Sequence, residues 1–116
     1  MGGHPASAAT DVAGLRRLVA GCRLCGAAVT PPPILWIQPH HVALIVGQAP
    51  GSVEVAIALP FQGRAGARLR QWLEPVGAGT PEGFLDRFAV AAVIKCYPGP
   101  SRGGRGDRVP TRLGPG

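Results

Sequence analysis

Apolar side chains fall at Val12, Leu15, Leu18 and Val19, the three-and-four spacing of one helix face. Thr10 or Asp11 supplies an N-cap and Gly21 a stop. Thr30-Pro31-Pro32-Pro33 must be extended, because each proline disfavours helix in the residue before it. The short run Ile34–Ile37 then reads as an edge strand or a packed loop, followed by a turn at Gln38-Pro39-His40. His41-Val42-Ala43-Leu44-Ile45-Val46 is too short for a helix of ordinary length and rich in β-branched residues, so it predicts a buried strand. Val53 to Leu59 is apolar without a deciding period, and Pro60-Phe61 breaks it. Leu69, Trp72 and Leu73 mark a helix from about Ala65 to Glu74, closed by Pro75 and Gly77. Thr80 caps a short segment, Pro81–Asp86. Phe88 to Ile94, inside Arg87–Lys95, reads as a second fully buried strand. It is parallel to the first because a helix connects the two. Helix, strand, helix, strand is one half of an α/β sheet, and two strands alone are thin for a stable domain.

The chain's 116 residues suit one small domain. Its formal charge of +6 favours a polyanionic partner, nucleic acid or an anionic membrane surface. A composition biased toward Arg, Ala, Gly and Pro is the bland alternative. From Ser101 onward there are four arginines, five glycines and two prolines, with little apolar material to pack. Met1-Gly2-Gly3-His4-Pro5 shows neither a positive n-region nor an apolar h-region. No apolar run approaches the ~20 residues of a membrane-spanning helix. Three cysteines without an export signal argue for a reducing, cytoplasmic setting, where thiols more often bind metal or catalyse than pair.

Chemistry concentrates after the first strand. Gly47-Gln48-Ala49-Pro50-Gly51 is a loop in which Gly47 and Gly51 permit a tight turn and close backbone approach to a ligand. In open α/β sheets, ligands lie at the carboxyl ends of strands, where this loop falls. Phe61, stiffened by Pro60, is either core or a platform for a base, a contact worth ~1–3 kcal/mol. Cys22-Arg23-Leu24-Cys25 directly follows the first helix, with Cys96 far downstream. The three thiols are either metal ligands or small buried hydrophobes. Arg102, Arg105 and Arg108, spaced by glycines, suit phosphate contacts or a solvated loop. His40-His41 has no identifiable partner and reads as surface loop.

Taken in order, these motifs resemble the uracil-DNA glycosylase superfamily, most closely its iron–sulfur branch, family 4. The match runs through Cys22-x-x-Cys25, Gly47-x-Ala49-Pro50-Gly51 with Glu54, and Pro60-Phe61-x-Gly63-x-Ala65-Gly66. It continues through Lys95-Cys96-x-Pro98-Gly99 and Gly106-Asp107-Arg108-x-Pro110. It covers roughly Leu15 to Thr111. The resemblance implies a three-layer α/β/α fold with a parallel sheet. It implies hydrolysis of the N-glycosidic bond of a uracil, or another deaminated base, flipped out of DNA. Gly47, Gln48, Ala49, Pro50 and Gly51 would hold the base and position the attacking water, with Phe61 stacked on it. Gln48 and Asp107 would be the catalytic positions, and Asp107 would meet the base edge. Arg64, Arg102, Arg105 and Arg108 would contact DNA. Cys22, Cys25 and Cys96 would be three of four ligands of a [4Fe–4S] cluster. Uracil-containing DNA is the expected partner, and a monomer the expected state.

Departures from the family pattern shape the expectation. Gln48 replaces a common Glu, Val55 an Asp, Ala58 a Gly, and Asp107 an Asn. A carboxylate at 107 accepts hydrogen bonds but donates none unless protonated, so base choice would differ from plain uracil. The fourth cysteine, further strands and a second active-site motif carrying a histidine are absent. Residues 1–112 are thus expected to be the N-terminal part of one domain with its C-terminal half missing, 113–116 a divergent tail, and the chain an inactive fragment. Two alternatives stand beside this reading: a non-catalytic basic DNA-binding module, and a small zinc-binding protein.

Overall fold

The computed structural model describes residues 11–101 and 106–107. Helix α1 spans Val12–Ala20. The Asp11 carboxylate caps it by accepting from the Gly14 amide at 2.7 Å. The chain then passes through a 3-10 turn at Gly26–Ala28 into strand β1, Leu35–Trp36, and strand β2, Leu44–Gly47. The ambiguous segment resolves as helix α2, Ser52–Ile57. Helix α3, Arg64–Leu73, and helix α4, Pro81–Arg87, lead into strand β3, Ala89–Ala92. Thr80 caps α4 as expected, its hydroxyl accepting from the Gly83 amide at 3.0 Å. Among the described residues no helix is long and apolar enough to cross a membrane.

The sheet order is β1-β3-β2, with β2 and β3 parallel as expected. The fold is α/β, but its sheet is mixed rather than parallel: β1 runs antiparallel to β3, pairing Leu35 with Ala91 and Trp36 with Val90. The reason is the link between β1 and β2. It holds only a turn, with no crossover helix, so β1 must end near the place where β2 begins.

Strand β2 is buried on one face only. Leu44 is 56% and Val46 62% exposed, while Ile45 between them packs on the core. The run of β-branched residues concealed a half-buried strand of period two. In β3, Ala89 and Val90 are buried, but Val93 just beyond is exposed. No described element covers the face that Leu44 and Val46 share. Trp72 also departs from expectation. Leu69 and Leu73 pack toward the core, and Trp72 is 69% exposed.

The core centres on Phe84 of α4, fully buried with Ala78 and Val90. The last carbonyls of α4 have no partner within the helix. Trp36 Nε1 donates to Leu85 O at 2.6 Å, and His41 Nε2 lies 2.9 Å from the same oxygen. The Gln38 amide donates to His41 Nδ1 at 2.9 Å, which leaves Nε2 as the protonated, donating nitrogen. His40 Nε2 lies 2.8 Å from Asp86 O. The histidine pair therefore has partners: it fastens the β1–β2 turn to the end of α4.

Candidate active site

Gly47 ends β2 at the carboxyl edge of the sheet, and the ladder continues past it. Val93 N donates to Gly47 O at 3.0 Å and Ile94 N to Gln48 O at 3.1 Å. The start of the glycine loop is thus pinned to the sheet. Its far end is pinned by Glu54. Oε1 accepts from the Gly51 amide at 2.9 Å, satisfying a donor at the start of α2. Oε2 accepts from the amides of Gln62 and Gly63, both at 2.7 Å. One carboxylate therefore joins the loop before α2 to the segment before α3.

Between them the backbone turns twice through the left-handed region, at Ala58 (φ 64°) and Phe61 (φ 54°). At Ala58 this conformation ends α2. It explains why glycine suits that position, since a side chain there costs roughly 1–2 kcal/mol. Phe61 is held by its surroundings. Arg70 Nη1 donates to its carbonyl at 2.5 Å. Its ring meets Phe84 edge-on, with centroids 5.8 Å apart and planes at 73°. A methyl group at Gly66 would overlap the Phe61 carbonyl, so only glycine lets α3 pack this close. Phe61 serves both the core and the site: it packs against the core cluster and also lines the adjoining cavity.

That cavity has a volume of about 520 Å³. It is lined by every one of Gly47, Gln48, Ala49, Pro50 and Gly51, and by Glu54, Phe61, Arg64 and Asp107. Arg64 stands exposed at the start of α3. Asp107 arrives from far downstream through a bridge to Pro100. A Cβ placed on Gly51 would lie 2.6 Å from Asp107 Oδ2 and 2.8 Å from Glu54 Oε1, so Gly51 passes between two carboxylates. Desolvation pushes the Tyr97 phenol above its ordinary value, and the nearby Asp107 carboxylate pushes it the same way. Arg102, Arg105 and Arg108, the other expected DNA contacts, lie outside the described residues.

The residues named from the glycine loop, the Pro-Phe segment and the distant Asp107 meet in one place. A family model described as the uracil DNA glycosylase superfamily matches residues 36–113. The chain belongs to that superfamily. The match takes in every lining residue of the cavity except Ile34 and leaves Cys22 and Cys25 outside it. No curated protein matches the chain. Within this superfamily domain, motif reading missed two structural parts: the bridging role of Glu54 and the Arg70 contact. A Glu three residues after Gly51, at the start of a helix, is the one sequence signal that pointed to either of them.

The three thiols face a second cavity of about 450 Å³, between α1, the Gly26–Ala28 turn and the end of β3. All are half-buried and unpaired with each other. Arg23 Nη1 ties the CxxC turn by donating to Cys22 O at 2.7 Å and Ala20 O at 3.1 Å. Paired amides and carbonyls of Thr30 and Tyr97 bring the chain beside Cys96 alongside. Burial pushes the Cys96 thiol up. Arg23 pulls it back, and the nearby Cys22 and Cys25 add to the rise. Among the described residues, no three His, Cys, Asp or Glu side chains are grouped so as to hold a single metal ion. Three thiols around one cavity nevertheless have the donor chemistry of an iron–sulfur group.

Proposed function

We propose that the cavity at the ends of β2 and β3 receives a deaminated base, uracil first among them, flipped out of DNA, and that the protein hydrolyses its N-glycosidic bond. The observation that carries this reading is the convergence of the Gly47–Gly51 loop, Phe61 and Asp107 on one cavity within a superfamily domain. Phe61 presents its ring to the base while Phe84 holds it from behind. The loop brings polar backbone to the base with little side chain in the way. As the bond breaks, the sugar gains oxocarbenium character and the departing base gains negative charge. Fixed donors stabilise that charge because they need no reorganisation during the reaction. Gln48, exposed at the cavity lip, orients the attacking water together with Asp107. Arg64 at the cavity edge contacts the phosphate backbone.

Cys22, Cys25 and Cys96 would hold three corners of a [4Fe–4S] cluster. Bound there, such a group would fasten the turn after α1 to the end of β3.

The reading is tested by titrating the protein with free uracil, and by incubating it with a single-stranded oligonucleotide containing one deoxyuridine. Uracil binding that is lost in Phe61→Ala, or an abasic product that Gln48→Ala abolishes, supports it. Neither binding nor product at millimolar uracil and micromolar protein sinks it.

A further inference from the structure

Phe61 carries a bulky side chain on left-handed backbone, with φ at 54°. Such a conformation is costly and persists only where neighbours over-determine it. Bonds on either side fix the chain around it. Pro60 O accepts from Gln62 Nε2 at 3.0 Å, and the Gln62 and Gly63 amides donate to Glu54. The bond on Phe61 itself comes from Arg70, whose Nη1 donates to the Phe61 carbonyl at 2.5 Å.

The place of Arg70 on α3 suits it to this contact. It lies one turn beyond Gly66, on the same helix face. Helix side chains lean back toward the N-terminus, over the turn before their own. Leaning over Gly66, the Arg70 side chain meets no Cβ and reaches the carbonyl seated against that glycine. Among the described residues no carboxylate pairs with Arg70, so the half-buried guanidinium serves no ion pair. Nor is Arg70 among the described residues that line the cavity. Any effect it has on a base there passes through Phe61.

We infer that Arg70 is a positioning residue for base binding. It locks the Phe61 backbone in the left-handed conformation, which turns the ring onto Phe84 and into the cavity at once. This rests on the proposed function above and adds to it the residue that sets its stacking platform. A guanidinium is a planar, charged donor, and a charged donor makes the stronger bond to a carbonyl. Without it, Phe61 can relax to ordinary backbone angles. The Cα–Cβ bond then swings, and the ring leaves the place it shares between core and cavity.

The experiment measures dissociation constants of the full chain for free uracil in four proteins: wild type, Arg70→Met, Phe61→Leu and the double variant. Each is also melted. Arg70→Met should weaken uracil about fivefold to tenfold where Phe61 is present, the loss of much of one base–aromatic stack. It should change nothing where residue 61 is leucine, because residues that act through one another are not additive. A merely structural role for Arg70 would weaken both backgrounds by the same factor. That result, or uracil binding unchanged in Arg70→Met, overturns the inference and leaves the proposed function intact. Failure of wild type to bind uracil at millimolar concentration overturns the proposed function, and this inference with it. If Arg70→Met proves unstable, Arg70→Gln takes its place: a good helix former whose amide ends two bonds short of the guanidinium nitrogen. If the leucine background binds too weakly to measure, the NMR shifts of the Phe61 and Phe84 rings carry the test. Both should move in the Arg70 variant, and unchanged shifts overturn the inference.

Discussion

Gly66, in the first turn of α3, lies directly beneath the carbonyl of Phe61, so close that a single methyl group cannot fit between them. The helix and the cavity wall therefore share one contact surface, and Gly66→Ala should push them apart. The expected loss is about 1–3 kcal/mol, the usual cost of overpacking, seen as a lower midpoint in urea. Gly47→Ala is the control. Its new methyl would lie at an ordinary 3.8 Å from the Phe61 ring and should leave stability nearly unchanged.

Glu54→Gln keeps the shape of the bridge and removes its charge. One amide oxygen can serve only part of the three backbone donors, and the new NH₂ group faces N–H groups instead of accepting from them. A loss of about 1.5–3 kcal/mol is expected, since bonds to a charged acceptor are the strong ones. Base binding should weaken alongside the drop in melting temperature. Normal binding with an unchanged melt would show that the bridge does not organise the site.

Ala58→Gly should stabilise. The residue sits at φ 64°, where alanine is strained and glycine is not. Glycine's greater freedom in the unfolded chain offsets part of the relief. A net gain of about 0.5–1 kcal/mol is expected, measured by the same denaturation.

Raising the pH should destabilise the metal-free fold. The Cys96 thiol and the Tyr97 phenol both sit above their ordinary values when folded. Each contributes stability that is complete below its unfolded value and lost as the pH rises through its folded value. Stability should therefore hold flat near neutrality and fall above about pH 9, where free thiols and then phenols begin to ionise. A melting temperature that climbs between pH 8 and 10 would contradict both shifts.

Anaerobic preparation with iron and sulfide should give a brown protein, and Cys96→Ser should remove the colour along with most of the bound iron. Stoichiometric zinc in its place, with no iron, would favour the zinc-protein reading of the same three thiols.

Local chemistry was legible in the sequence wherever one residue type settles one conformation. Asp11 and Thr80 cap their helices as read, Gly47 ends its strand, and the whole Gly47–Gly51 loop lines the cavity. What stayed hidden depends on contacts between distant segments. The direction of β1 follows from a short link rather than from any residue within it. Whether Leu44 and Val46 are covered depends on what packs over them, and β-branched content says nothing of that. His40 and His41 looked unpartnered because their acceptors are carbonyls of α4, more than forty residues away.

The Glu54 bridge also sets an order of assembly. Its three bonds span three, eight and nine residues. Loops of about ten residues close in ~10–100 ns and at little entropic cost. Asp107 must come from more than fifty residues beyond Gly51, and it reaches the cavity only through segments that follow β3. The wall held by Glu54 thus folds as a neighbourhood, while the Asp107 carboxylate joins the cavity late. A chain emerging from the ribosome can shape one wall of its cavity before the residue that completes the lining has been made.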